Sequence, residues 1–171
     1  KIKNSMRKLA PSFNTHRMIM EYTDRYYMPA FERYVRLTQP DMSRGVAFSK
    51  WKSRVYQVWN QVRVVHVQTS SNELRVGTDQ EVRAWVDLGK LTPEDVTVQV
   101  YYGVLDPHSN IMAGTPVDME PVGQDSSNPS VYEFATRLAY RSTGNHGLSV
   151  RVLPAHQDLP TPFQRNLIRW A

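Results

Sequence analysis

Glu81-Val82-Arg83-Ala84-Trp85-Val86-Asp87-Leu88 is the stretch that decides the fold. In an extended chain, Val82, Ala84, Val86 and Leu88 fall on one side and Glu81, Arg83, Trp85 and Asp87 on the other, because successive strand side chains point to opposite faces. A helical repeat would scatter both sets around its surface. The same two-residue period returns along the chain. Val65 and Val67 start a strand. Val96, Val98, Val100 and Tyr102 alternate with Thr97, Gln99 and Tyr101, and Val117 and Met119 supply another strand. Tyr132, Phe134, Thr136, Leu138 and Tyr140 alternate with Glu133, Ala135, Arg137 and Ala139, and Leu148, Val150 and Val152 with Ser149 and Arg151. One apolar and one mostly polar face per strand predicts sheets that each cover a core on one side.

Turn residues separate these runs: Ser70-Ser71-Asn72, Gly89-Lys90, Asp106-Pro107, Ser126-Ser127-Asn128-Pro129 and Gly144-Asn145. Short alternating strands at such intervals, with no long helix among them, predict an antiparallel, Ig-like β-sandwich. Phe163 to Trp170 have two readings, an edge strand or a segment packed back on helices.

Upstream of Val62 the period is helical. Lys1 to Leu9 reads as a helix end stopped by Pro11, since the residue before a proline disfavours helical geometry. Asn14 or Thr15 caps the next helix. Ile19, Tyr22 and Tyr26 share one face, and Pro29 kinks or restarts the helix before the Gln39-Pro40 break. Ala47, Trp51, Val55, Val58 and Val62 form a stripe that Phe48 and Trp59 widen, the mark of an amphipathic helix. Burying side chains of that size stabilises packing by roughly 1.5–3 kcal/mol each. The expected class is therefore mainly β with N-terminal α-helices: two or three helices in residues 1–63, then the sandwich in residues 64–171.

Charge follows the same division. Residues 1–63 hold 13 Lys/Arg against 4 Asp/Glu (+9), and residues 64–171 hold 8 against 12 (−4). A basic half suits nucleic acid, a phosphorylated ligand, an acidic protein face, or simply water. With 171 residues and 40% hydrophobic content, the chain is large enough for a real core. No run approaches the roughly 20 apolar residues of a membrane span, so no membrane partner is expected. The absence of cysteine removes disulfides, thiolate nucleophiles and Cys-ligated zinc, and favours a cytoplasmic setting. A first residue of Lys, without a signal-like apolar run, suits an excised segment.

Residues with chemical potential are scattered. His16, His66, His108, His146 and His156 lack metal-ligand spacing, so no metal site is expected. His146 reads as a turn residue beside glycine. Glu94-Asp95 and Asp118/Glu120 read as solvated surface, because acid–base work needs carboxylates in a cleft. Thr92 is positioned to cap a short helical turn ahead of Glu94. No glycine-rich phosphate loop is present, and Lys50 and Lys52 sit on the outer side of the amphipathic helix. Arg25, Arg33, Arg36, Arg44, Lys50, Lys52 and Arg54 interleave with Tyr26, Tyr27, Tyr34 and Trp51. Their core-like spacing favours packing over nucleic-acid stacking, and no nucleic-acid-binding motif accompanies them. Trp85, Tyr101 and Tyr140 could form a carbohydrate platform, with burial against neighbouring elements the favoured reading.

Ser12-Phe13-Asn14-Thr15-His16-Arg17-Met18-Ile19-Met20-Glu21-Tyr22 resembles the helix-opening segment near the end of the catalytic region of glycogen/starch-type phosphorylases. The chain as a whole resembles the C-terminal region of bacterial α-glucan phosphorylases. The carrying segments are Ser5-Met6-Arg7-Lys8-Leu9-Ala10-Pro11, Tyr26-Tyr27-Met28-Pro29-Ala30, Leu88-Gly89-Lys90-Leu91-Thr92-Pro93-Glu94-Asp95-Val96, Gln99-Val100-Tyr101-Tyr102-Gly103, His146-Gly147, Arg151-Val152-Leu153-Pro154 and Trp170-Ala171. His16 departs from the aspartate that many relatives place before the arginine.

The resemblance implies a two-lobed GT-B glycosyltransferase that uses pyridoxal phosphate and inorganic phosphate to cleave α-1,4-glucans to glucose 1-phosphate. It also implies that the cofactor lysine lies upstream of this chain. No catalytic, cofactor-binding or metal residue is therefore carried over, and the fragment is expected to be inactive alone. Residues 1–63 would complete or bridge the catalytic lobe, with the catalytic lobes as partners, and residues 64–171 would be an accessory sandwich. The alternatives are a glucan-binding accessory module with α-glucan as partner, or a basic nucleic-acid or protein interaction domain.

Overall fold

The computed structural model describes residues 2–70, 77–141 and 143–171, without the side chain of Ser5. The turn expected at Ser70-Ser71-Asn72 lies outside the described residues beyond Ser70. The chain divides into two compact units, Lys1–Trp51 and Lys52–Ala171.

The first unit is helical. Helix α1 spans Ile2–Leu9, α2 Thr15–Tyr22, α3 Met28–Thr38 and α4 Ser43–Val58, the last crossing into the second unit. Asn14, not Thr15, is the cap: its side chain accepts a hydrogen bond from the Arg17 backbone N–H at 2.8 Å. Between α2 and α3 the chain does not break. Thr23–Tyr27 form a π-helical turn in which the Met28 N–H reaches back five residues to the Thr23 carbonyl. In place of the expected kink or restart at Pro29, the helix continues through a wider turn just before the proline, which has no N–H to place. Among the described residues the helices make three continuous runs, in line with the two or three expected. No residue of α2 or α3 is buried.

The second unit is an antiparallel seven-stranded β structure: β1 Arg63–Thr69, β2 Asp79–Asp87, β3 Val96–Leu105, β4 Ile111–Gln124, β5 Val131–Ala139, β6 His146–Pro154 and β7 Arg169–Trp170. The strand order is β1-β2-β5-β4-β3-β6-β7. Counted along the chain this is the Ig pattern, with the first, second, fifth and fourth strands on one side and the third, sixth and seventh on the other. Strand β4 joins the two: Ile111 to Met119 pair with β3, and Glu120 to Gln124 pair with β5. Val82, Ala84, Val86, Val98, Val100, Phe134, Leu138, Val150 and Val152 fill the core, as their alternation demands.

Val55, Trp59 and Val62 are buried as well. They come from the end of α4, the 3₁₀ turn Trp59–Gln61 and the residue before β1. Their spacing of four and three carries the helical stripe across the change of pitch. The alternation fails in β1: a register shift between Val64 and His66 leaves Val65 exposed, so Val64 and Val67 turn inward in place of Val65. A bulge of one residue moves every following side chain to the other face, which no local pattern reveals.

The turn Pro93–Asp95 is a 3₁₀ helix capped by Thr92, as its sequence predicts. Asp95, however, is not solvated surface. It is buried and receives both arms of the Arg54 guanidinium, at 2.6 and 3.0 Å, and the Thr92 backbone N–H at 3.1 Å. Phe163 to Trp170 resolve as a turn segment ending in the edge strand β7, which pairs with β6.

Candidate functional site

The site begins with one register row. Gln99 on β3 lies opposite Asp118 on β4 and Arg151 on β6, and Arg151 lies opposite Trp170 on β7. Strand neighbours in register project to the same face, so these four side chains form a line across the sheet. The Gln99 amide donates to Asp118 Oδ1 at 2.7 Å, and Arg151 Nε donates to Gln99 Oε1 at 2.9 Å. The guanidinium carbon of Arg151 stands 5.2 Å from the ring centre of Tyr101, 5.3 Å from that of Phe163 and 5.4 Å from that of Trp170. Three π faces thus hold one cation. Tyr101 meets Trp170 edge-on, ring centres 5.9 Å apart.

Arg151 falls on the side of β6 opposite Val150 and Val152, yet that side is covered at this point. Its exposure is 9%, because the segment after β6 returns over the outer side of the sheet and brings Phe163 and Trp170 with it. Glycine makes the room Tyr101 needs. A Cβ on Gly114 would run into the edge of the Tyr101 ring and stand 2.9 Å from Ile111 Cγ2. Gly114→Ala is therefore expected to cost about 1–3 kcal/mol through overpacking, read as a lower denaturation midpoint with unchanged slope.

The three rings considered as a carbohydrate platform do not converge. Trp85 lies on β2 against His66, ring centres 5.4 Å apart. Tyr101 belongs to the Arg151 cluster. Tyr140 is buried, donates to Gln80 Oε1 at 2.8 Å and meets Tyr102 and His146 edge-on. Burial, and secondarily the neighbouring Tyr102, raises the Tyr140 phenol above its usual pKa. His146 is therefore no turn residue: it opens β6 opposite Val104, while Gly144 takes the positive φ beside it.

Asp118 and Glu120 are exposed on β4, Asp118 in the row with Gln99 and Glu120 opposite Ala135 of β5. Burial alone would raise the Asp87 carboxyl, but hydrogen bonds from Ser130 and the Gly89 N–H, with the Arg63 guanidinium at 3.0 Å, leave it below its ordinary value. These partners are structural neighbours at a strand end, not a reactive pair. Among the described residues no group of three His, Cys, Asp or Glu is placed to hold a metal ion, and no helix is long and apolar enough to cross a membrane.

Pyridoxal phosphate requires a lysine amine sheltered from water and a cradle for its phosphate. The described lysines Lys3, Lys8, Lys50, Lys52 and Lys90 are not buried. The described residues do not fit that cofactor.

The helical unit offers a surface of another kind. Met18, Ile19, Tyr22, Tyr26, Tyr27, Phe31 and Tyr34 are exposed large apolar residues. Tyr22 lies 5.6 Å from Tyr26 and 6.4 Å from Tyr27 between ring centres, so the rings cluster with each other.

Comparison with known proteins bears on the whole chain. Residues 59–171 match the family model described as the glycogen phosphorylase C-terminal domain. A maltodextrin phosphorylase of Thermococcus litoralis is 30% identical over 171 residues, covering 99% of this chain and 20% of its own length. A glycogen phosphorylase of Mycobacterium tuberculosis is 25% identical over 172 residues, with the same two coverages. The chain thus spans about one fifth of the length of these curated relatives. Among solved structures, a Pseudomonas fluorescens alkylpurine DNA glycosylase bound to DNA overlaps 55% of this chain and 27% of its own, at 12% identity and a TM-score of 0.37, too slight a likeness to inform the fold.

Proposed function

This chain belongs to the glycogen phosphorylase C-terminal domain family, and from that premise we propose that it is the non-catalytic C-terminal part of an α-glucan phosphorylase. The parent would convert α-1,4-glucan and phosphate to glucose 1-phosphate, with pyridoxal phosphate bound in the rest of its chain. Residues 1–63 would complete or bridge the catalytic lobe, and residues 64–171 would form the accessory sandwich.

One observation carries this reading. Helices α2 and α3 bury none of their residues, yet they carry aromatic and aliphatic side chains at helical spacing. An apolar surface of that extent is the mark of an interaction site. Residues 1–63 carry a net charge of +9, which suits an acidic protein face. The missing cover is, on this reading, the remainder of a chain about five times as long, as the coverage of the relatives suggests.

The purified 171-residue chain is expected to release no glucose 1-phosphate from glycogen and phosphate, with or without added pyridoxal phosphate. Turnover above the enzyme-free blank, abolished by heating, would overturn the non-catalytic assignment.

A further inference from the structure

Arg151 is a buried cation on the outer side of a sheet, and three rings bury it. A guanidinium needs only the inner π faces of those rings. Phe163 nevertheless leaves 56% of its surface in water and Trp170 leaves 49%. Both are half-covered plates, backed by Arg151 and, for Trp170, by a T-shaped contact with Tyr101. Along the register row from Trp170, beyond Arg151, come the half-buried amide of Gln99 and then the exposed carboxylate of Asp118.

These two features together point to one ligand chemistry. A pyranose has an apolar C–H face and a rim of hydroxyls that both donate and accept. Flat aromatic plates cover the first, and planar amide and carboxylate groups match the second. Backing by Arg151 and the β-sheet limits the side-chain entropy lost when the plates meet a ligand. Charge selects further: Arg151 and Asp118 cancel along the row, so the site suits a neutral sugar better than a phosphate ester or a polyanion.

Resting on the reading of the chain as part of an α-glucan enzyme, we propose that Trp170 and Phe163 form a stacking site for the glucose rings of an α-1,4-glucan, with Asp118 and Gln99 bonding its hydroxyls. The site holds polymer and performs no chemistry.

Affinity electrophoresis of the 171-residue chain through amylopectin, with maltoheptaose as soluble competitor, tests it. The wild-type chain is expected to be retarded, and the retardation to be relieved by maltoheptaose and unchanged by added salt. Trp170→Ala and Phe163→Ala should each weaken binding about tenfold or more, the usual scale for removing an aromatic anchor. Trp85→Ala, on the other sheet, should bind as wild type. Circular dichroism checks that each variant is folded, and Phe163 lies outside the strands, so its variant remains usable if Trp170→Ala unfolds. Unretarded wild-type chain, retardation untouched by either variant, or retardation lost with salt would each overturn the site. Those results leave the phosphorolysis assay standing, and turnover in that assay would leave this site standing.

Discussion

Trp59→Ala is expected to destabilise the chain by about 3–5 kcal/mol, the cost of emptying a buried tryptophan site. Trp59 is 2% exposed and sits on the 3₁₀ turn that leads from α4 into β1. Its neighbours in the stripe, Val55 and Val62, are buried with it. Domains of this size are stable by only about 5–15 kcal/mol, so the loss takes a large share. Trp59→Phe separates volume from polarity. Among the described residues the buried indole Nε1 has no hydrogen-bond partner, so phenylalanine sacrifices none of those bonds and only some volume. The phenylalanine variant should therefore lose about 1–2 kcal/mol, less than half the alanine effect. Urea unfolding followed by circular dichroism measures both. An alanine variant within about 1 kcal/mol of wild type would show that the site collapses around the gap.

Asp95→Ala is the second large effect, with an expected loss of about 3 kcal/mol. One carboxylate meets two demands. It accepts the bidentate guanidinium of Arg54, and it accepts the backbone N–H of Thr92 in the capping box of the turn before β3. Alanine leaves the Thr92 donor unmet and the turn uncapped. Arg54→Ala should cost less, about 1–2 kcal/mol, because the cap survives and the arginine side chain is 47% exposed. The double variant should cost less than the sum, since both remove the same pair. Strict additivity in that cycle would mean the ion pair contributes nothing beyond the cap.

The strands were legible because each buries one face, and a two-residue period is visible without knowing any partner. Val82 to Leu88 and Val96 to Val100 needed nothing else. Thr92 was legible as a cap for the same local reason, while the choice of Asn14 over Thr15 came only with the structure. What escaped depended on distant chain. Val65 reads as core, yet the bulge that expels it is defined only against β2. Asp95 reads as surface, yet its partner Arg54 lies 41 positions away. Arg151 alternates with the apolar residues of its strand, and nothing local shows that Phe163 and Trp170 return over it. The one available signal was the pair of aromatics in a short tail after the last long strand, too polar to form a core of its own. The helices escaped differently: their periodicity marked a face, but no residue of α2 or α3 is fully buried.

Strand β4 has a consequence for how the sandwich comes apart. Its first part is hydrogen-bonded to β3 and its last part to β5, through one uninterrupted backbone. Separating the two layers therefore requires stripping β4 from one of them, by breaking its hydrogen bonds either to β3 or to β5.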